Sequence, residues 1–378
     1  MTVYLDANAT TPVDKRVADI VLSYFTEEYG NAGSRTHELG QTAKTAVSDA
    51  RRQVAQVARC DTDEVIFTSG ATEANNIALL GLAPEGRRTR RMHIVSTAIE
   101  HKAVLEPLER LAGEGFEVEL IAPNASGQVS ASAIAGAVRE DTLLISMMAA
   151  NNETGVVQPV LELCELLGEH PAYLHVDAAQ AFGKLLPELR HSRIDLAAVS
   201  GHKVFAPKGV GALIARKRGY RRPPLTPLLV GGGQERGLRP GTLPVPLIAG
   251  LGLASELAVR EHAERHAACL AYKANVLDGL APLNPQIHGD PARTMPHVVN
   301  LSLPGLDSEA VMVAWRGLLA VSNGSACTSA SYDPSHVLIA MALPDDSIRG
   351  ALRLSWSHMT EPADWPEAVA RLQDLLPL

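Results

Sequence analysis

An α/β fold on a mainly parallel sheet, followed by a smaller C-terminal α/β domain, is the architecture the sequence predicts. Three observations carry it. Apolar strand runs alternate with helical periods from about residue 16 to 260. Seven such strand runs fall in that span. A Gly/Pro-rich break, GGGQERGLRPGTLPVP at 231–246, closes the alternation. Parallel neighbours need a crossover, usually a helix, and a sheet covered on both faces is apolar along its strands.

The elements follow in order. EVIFTSG reads as a strand and ATEANNIALLGL as a helix. RMHIVSTAIEH is a strand, then KAVLEPLERLAGEG a helix. FEVELIA is a strand, and SASAIAGAVRE has helical character. TLLISMMAAN, AYLHVDAAQ, DLAAVSGHK and VGALIAR are further strands, with helix PVLELCELLGEH between the first two. One long helix is expected over about 247–280. Beyond it, HVVNLSLP and ALRLSWS read as strands and PADWPEAVARLQDLL as a terminal helix. The domains expected are 16–260, and 1–15 together with 261–378.

Composition narrows the function. The chain has 378 residues, 46% apolar and 20% charged, as in a soluble globular protein. A net charge of −8 argues against direct binding of DNA or RNA. The one short basic run, ARKRGYRR at 215–222, reads as a solvated surface turn. Cys60, Cys164, Cys269 and Cys327 lie far apart, with no C-x-x-C pair, so neither a disulfide framework nor a zinc site is expected. MTVYLDANATTP lacks a basic region followed by an apolar run, so no signal peptide is expected. No apolar span reaches 18 residues, so no membrane helix is expected. A reducing cytoplasm is the expected setting.

Ligands of open α/β sheets bind beyond the carboxyl ends of the strands. Ser69, Gly70, Ala71, Thr72 and Glu73 stand there after the first strand and open a helix. Small residues at a helix N-terminus can hold a phosphate, although a capping turn with Ser69 or Thr72 as cap explains them equally. Other strand ends bring His101, then Asn152 and Glu153, then Asp177 and Gln180, then Ser200, His202 and Lys203. Singly, each has a plain structural role open to it: a cap, a turn, a paired carboxylate, a surface lysine. Together they offer an acid, a lysine, a histidine and an anion cup. Pyridoxal 5′-phosphate (PLP) needs such a set: a lysine to bind it, an Asp for its ring nitrogen, a flat partner and a phosphate site. The loop VSNGSACTSAS at 321–331 places Cys327 among small residues with little to pack against. It is either a mobile reactive thiol or an incidental loop cysteine.

The sequence resembles the cysteine desulfurases of the NifS/IscS type, within the class V aminotransferase-like enzymes. YLDANATTP, FTSGATEANN, STAIEHKAVL, NNETGVVQPV, HVDAAQ, SGHKVFAPKGVGAL, GGGQERGLRPGTLPV and SNGSACTSAS match family segments in order. The resemblance implies the fold of type I PLP-dependent transferases, and PLP bound covalently to Lys203. Asp177 would pair with the ring nitrogen, and His101 would stack on the ring and shuttle protons. Gln180 would reach the 3′-oxygen. Ala71, Thr72, Ser200 and His202 would hold the phosphate, with Thr242 arriving from the second subunit of a homodimer. Asn152 and Arg353 would bind the carboxylate of the substrate, L-cysteine. Cys327, on a mobile loop over about 322–332, would take the sulfur as a persulfide and pass it to an acceptor protein. Alanine would be the other product.

Two features depart from the housekeeping members. ARLQDLLPL stops soon after the terminal helix, with no equivalent of their scaffold-docking tail. LRLSWSHMTEP at 352–362 differs from their RFSLG-like run. Both resemble the branch that serves DNA phosphorothioation, where the partner is a sulfur-accepting enzyme and not DNA itself. Iron–sulfur assembly and tRNA thiolation are the other destinations for the sulfur. The rival activities are those of a selenocysteine lyase or of an aminotransferase without persulfide chemistry, and an aminotransferase would not need GSACTS. A rival of another class is a non-catalytic partner protein that has kept the fold.

Overall fold

The computed structural model describes residues 2–323, 334–373 and 375. Cys327 lies outside the described residues, as does the rest of its loop from 324 on. The strands are β1 (Val3–Tyr4), β2 (Val65–Thr68), β3 (His93–Thr97), β4 (Glu117–Ile121), β5 (Thr142–Met148) and β6 (Tyr173–Asp177). They continue as β7 (Leu196–Ser200), β8 (Gly211–Ala215), β9 (Gln286–His288), β10 (Val298–Ser302), β11 (Leu319–Ala320) and β12 (Ala351–Ser355).

The seven-stranded sheet has the order β2-β8-β7-β6-β5-β3-β4. Its four pairs from β7 to β4 are parallel, and β8 runs antiparallel to both neighbours. All seven predicted strands are present, and the sheet is mostly parallel as expected. The two-residue period of a strand divides each strand between two apolar layers. On β7, Ala197 and Val199 enter one layer, while Leu196 and Ala198 enter the other. On β8, Ala212 and Ile214 join the first layer, and Leu213 and Ala215 the second. Helices Glu38–Ala58 and Val245–Arg260 cover the first face with Val54, Ile248 and Leu251. Helices Ala71–Thr89 and Lys102–Gly113 cover the second with Leu82 and Leu108.

A separate core gathers C-terminal residues. A three-stranded antiparallel sheet, β12-β10-β9, contributes Leu301, Leu352 and Leu354. Trp315, Trp356 and Trp365 fill the space around it. Their indole N–H groups are all bonded: Trp315 to Ala368 O at 2.9 Å, Trp356 to Cys269 O at 3.0 Å, Trp365 to Asn275 Oδ1 at 2.6 Å. Burial of such large rings demands those partners. The N-terminus belongs to this region, because β1 pairs in parallel with β11 and Asp6 bridges to Ser355.

Two expectations are corrected. The helix predicted over 247–280 is two helices, Val245–Arg260 and His262–Leu280. Glu261 between them leaves the helical region at φ −104°, ψ 14°. Its carboxylate is held by Arg16 at 2.6 Å and Arg265 at 2.8 Å. These bonds, the Arg16 bond foremost, hold the Glu261 carboxyl down at about 2. Apolar periodicity runs through such a joint, so the sequence pattern does not reveal it. The basic run at 215–222 is not all solvated turn. Arg216 is buried and donates to Ala58 O, Leu189 O and Ile194 O at 2.7, 2.6 and 3.2 Å. Arg218 grips Asp195 with two bonds of 2.5 and 2.7 Å. Tyr220 stays fully exposed. Among the described residues no helix is long and apolar enough to cross a membrane.

Candidate active site

The carboxyl ends of β2, β3, β5, β6 and β7 open on one cleft of about 710 Å³. The chain crosses back over β3 between β4 and β5, so the crossover direction reverses there. Such a reversal separates the loops and leaves a crevice. Ala71, Thr72, His101, Asn152, Asp177, Gln180, Ser200, His202, Lys203 and Arg353 all line it, ten of the twelve residues to which the resemblance gives a site role. Thr242 is exposed and does not line this cleft, and Cys327 lies outside the described residues.

Asp177 is the last residue of β6 and is buried. Its Oδ1 accepts from the Ala179 N–H at 2.9 Å and its Oδ2 from Asn75 Nδ2 at 2.8 Å. Both bonds fix the carboxylate in place. Lys203 follows β7 and donates from Nζ to Asn8 O and, at 2.8 Å, to Ala9 O. His101 caps the helix Lys102–Gly113, its Nδ1 accepting from the Ala103 N–H at 3.0 Å. The proton of the neutral ring is therefore on Nε2. Burial first, and then the charges of Lys203 and His336, hold the His101 pKa below the usual histidine value, against an opposing pull from Asp177. Burial and Lys203 push His202 down to about 4. Both histidines are thus neutral near pH 7.

The expected cap of the helix Ala71–Thr89 is neither Ser69 nor Thr72. Gly70 occupies that position without a side-chain bond. Glu73 instead takes the Ser69 N–H at 2.5 Å and pairs with Arg239 at 2.9 Å. The turn depends on Gly211 on the neighbouring strand. A methyl group there would lie 2.3 Å from Val199 O and 2.6 Å from Gly70 Cα. Backbone atoms cannot give way, so Gly211→Ala should cost about 1–3 kcal/mol of stability. A thermal unfolding curve unchanged from the parent's would refute this.

Several residues in or beside the cleft, Asn8, Asn75, Asp6 and Glu100 among them, escaped the sequence reading. Asn8 and Asn75 are buried, and Asn8 Nδ2 donates to Asn152 O at 3.0 Å. Asp6 holds the Arg353 guanidinium at 2.6 Å. Glu153 and Glu100 brace the far wall. Glu153 accepts from Ser335 Oγ at 2.5 Å, and the Glu100 carbonyl accepts from His336 Nε2 at 2.9 Å. Burial pushes the Glu100 carboxyl up to about 8. Glu153 was named in the sequence with Asn152, whereas only adjacency to His101 hinted at Glu100. Among the described residues no His, Cys, Asp or Glu cluster is placed to hold a metal ion. The thiols of Cys60, Cys164 and Cys269 are raised by burial to about 12, 12 and 11, so none supplies thiolate near neutrality.

Comparison with known proteins identifies the family. The family model described as aminotransferase class-V matches residues 3–364. The cysteine desulfurase IscS of Rickettsia felis is 40% identical over 389 residues, covering 100% of this chain and 93% of that protein. The cysteine desulfurase of Homo sapiens is 40% identical over 384 residues, covering 99% of this chain and 83% of its own. Among solved structures, DndA from Streptomyces lividans has 52% identity and a TM-score of 0.82, covering 94% of this chain and 99% of its own. SspA in complex with cysteine has 34% identity and a TM-score of 0.81, covering 94% and 98%. The chain belongs to the aminotransferase class-V family. It is a PLP-dependent cysteine desulfurase, an enzyme class in which PLP is held on a lysine.

The cleft fits that cofactor. Four buried polar atoms on its walls have no hydrogen-bond partner: Asn8 Oδ1, Asn75 Oδ1, Gln180 Oε1 and Arg353 Nε. Unpartnered polar groups are costly in a protein interior and mark places where a polar ligand belongs.

Proposed function

We propose that this enzyme converts L-cysteine to L-alanine, takes the sulfur on Cys327 as a persulfide and passes it to an acceptor protein. The observation that carries the reading is the meeting of Lys203, Asp177, His101 and Arg353 in one cleft. Bound PLP supplies an electron sink for the substrate Cα–H bond. Lys203 would hold the cofactor and then move the α-proton at Nζ. Asp177, fixed by Asn75 and the Ala179 N–H, would accept the ring N–H and keep that nitrogen protonated. His101 would lie against the ring and exchange a proton at Nε2, since Nδ1 is engaged. Gln180 would reach the 3′-oxygen with the second N–H of an amide whose first is on Asn8 O at 3.0 Å. Ala71, Thr72, Ser200 and His202 would surround the phosphate. His202 contributes as a neutral ring braced by Thr10 Oγ1 at 3.2 Å.

Arg353 and Asn152 would bind the substrate carboxylate. Arg353 donates from Nη1 to Asn152 O at 3.2 Å, and its Nε–H has no partner. A guanidinium fork matches a carboxylate. The Cys327 thiolate would then attack the substrate sulfur. The substrate C–S bond breaks, its electron pair stays with carbon, and protonation there yields alanine. Residues 16–260 would form the part that holds PLP, and 1–15 with 261–378 the part that carries Cys327. An aminotransferase reading lacks a use for Cys327, which is why the desulfurase reading is preferred.

The destination of the sulfur is read as DNA phosphorothioation, supported by the 52% identity to DndA, with the acceptor a protein and not the DNA. Feeding ³⁵S-cysteine in cells and isolating the labelled protein tests it. Label on an iron–sulfur scaffold or a tRNA-thiolating enzyme, and not on a phosphorothioation protein, would overturn that choice. A cytoplasmic setting goes with it.

The active form should be a homodimer. Thr242 is exposed, stands on a Gly/Pro-rich segment and contributes nothing to its own cleft. Light scattering should give twice the chain mass of 40.2 kDa. A fully active monomer at assay concentration would rule this out.

A further inference from the structure

The chain that carries Lys203 also walls a second, smaller cavity. Val204 and Phe205 line it on one side, and its volume is about 50 Å³. Water needs roughly 10–15 Å³ of such space, so a small ion fits. Six basic residues surround it: Lys184, His262, Arg265, His266, His297 and His358. Among the described residues that line it, none is Asp or Glu. Arg265 is answered from outside the lining, by Glu261 at 2.8 Å and Asp14 at 3.7 Å. Lys184 is not. Its Nζ has one hydrogen-bond partner, His297 Nε2 at 3.2 Å.

An ammonium carries three N–H donors and needs acceptors when it leaves water. His297 can serve as an acceptor only while Nε2 is unprotonated. Its pKa is held far below the histidine range by burial and by the charges of Lys184, Lys273 and His266. Burial likewise pushes His358 to about 4. His262 spends its Nε2 on Lys184 O at 2.9 Å. Burial, with the Lys203 charge and against a pull from the Cys269 thiol, brings Lys184 down to about 7. Below about pH 7 the cavity therefore holds a cationic group without a countercharge among the residues that line it. Ala7, Ala258 and Trp356 make much of the remaining wall apolar, which disfavours a strongly hydrated dianion.

We propose that this cavity binds one weakly hydrated, halide-sized monovalent anion on the Lys184 ammonium. The anion accepts the Lys184 N–H groups that His297 leaves over. Only protonated Lys184 offers them, so affinity rises as pH falls through about 7, and the bound anion raises the lysine pKa in return. The fold gains by the same linkage. A lysine whose folded pKa is depressed costs stability progressively as pH falls from its unfolded value towards 7. An anion recovers part of that loss on the acid side.

Bromide is the probe. The holoenzyme is melted in sodium bromide and in sodium gluconate at equal ionic strength, at about pH 6 and about pH 9, on either side of the lysine titration. Bromide should raise the melting temperature by about 1–2 °C at the lower pH, with little effect at the higher. Lys184→Met, which keeps the bulk and loses the charge, should retain the visible PLP band and lose the bromide effect. Anomalous scattering from bromide-soaked crystals of the parent enzyme should place one ion within hydrogen-bond reach of Lys184 Nζ. An equal bromide effect in Lys184→Met overturns the proposal. So does the absence of an ion beside Lys184 at the lower pH, whether or not the variant folds.

Discussion

Cys327→Ser should bind PLP as the parent enzyme does, change spectrum when L-cysteine is added, and release almost no alanine. The substitution keeps size and polarity. A serine hydroxyl stays protonated near neutral pH and is a far poorer nucleophile than a thiolate. The remaining three cysteines cannot replace it, because burial holds their thiols at about 11 or 12. Alanine production should fall at least about a thousandfold, the scale seen when a catalytic nucleophile is removed. No persulfide should form on the protein, which mass spectrometry reads directly. Alanine turnover near the parent level would take Cys327 out of the reaction and favour the aminotransferase or lyase reading.

Lys203→Ala should remove the covalent link to PLP and the visible band that reports it. Lys203 Nζ sits at the carboxyl end of β7, hydrogen-bonded to Asn8 O and Ala9 O. Lys208 also borders the cleft, but it follows on a later turn, and the Asp177 and His101 partners are arranged around Lys203. Borohydride treatment should fix the cofactor to the parent chain and not to the variant. Activity should fall by a similar thousandfold or more, since both the attachment and the proton carrier are lost. A borohydride-stable adduct at full occupancy in the variant would show that another lysine holds PLP.

The large sheet was legible in the sequence because burial on both faces makes β7 and β8 nearly continuous apolar runs and leaves β5 interrupted only by Thr142 and Ser146. Strand ends could then be counted, and Asp177, His101 and Lys203 fell where ligands bind. The antiparallel direction of β8 was not legible, since VGALIA is apolar in either direction. Long-range partners were hidden for a different reason. Asn75 lies within a helix and meets Asp177 across 102 positions, while Asp6 meets Arg353 across 347. No local period records such meetings. Arg216 was misread because a charged residue in a basic run looks solvated until the carbonyls it serves are known.

The placement of the first strand bears on how the chain is made. Val3 and Tyr4 pair with Leu319 and Ala320, and Asn8 and Ala9 provide the carbonyls that hold Lys203. A ribosome adds roughly 5–20 residues per second. The leading segment therefore waits on the order of 15–60 s before its partner strand emerges. Closing so long a loop adds little entropy beyond that of a shorter one, so the delay is kinetic. Through that interval the apolar Leu5, fully buried at the end, stays uncovered. The central sheet ends at Ala215, so all seven of its strands are made before β11 is. Pairing of β1 with β11 is therefore among the last strand contacts the chain can make during synthesis.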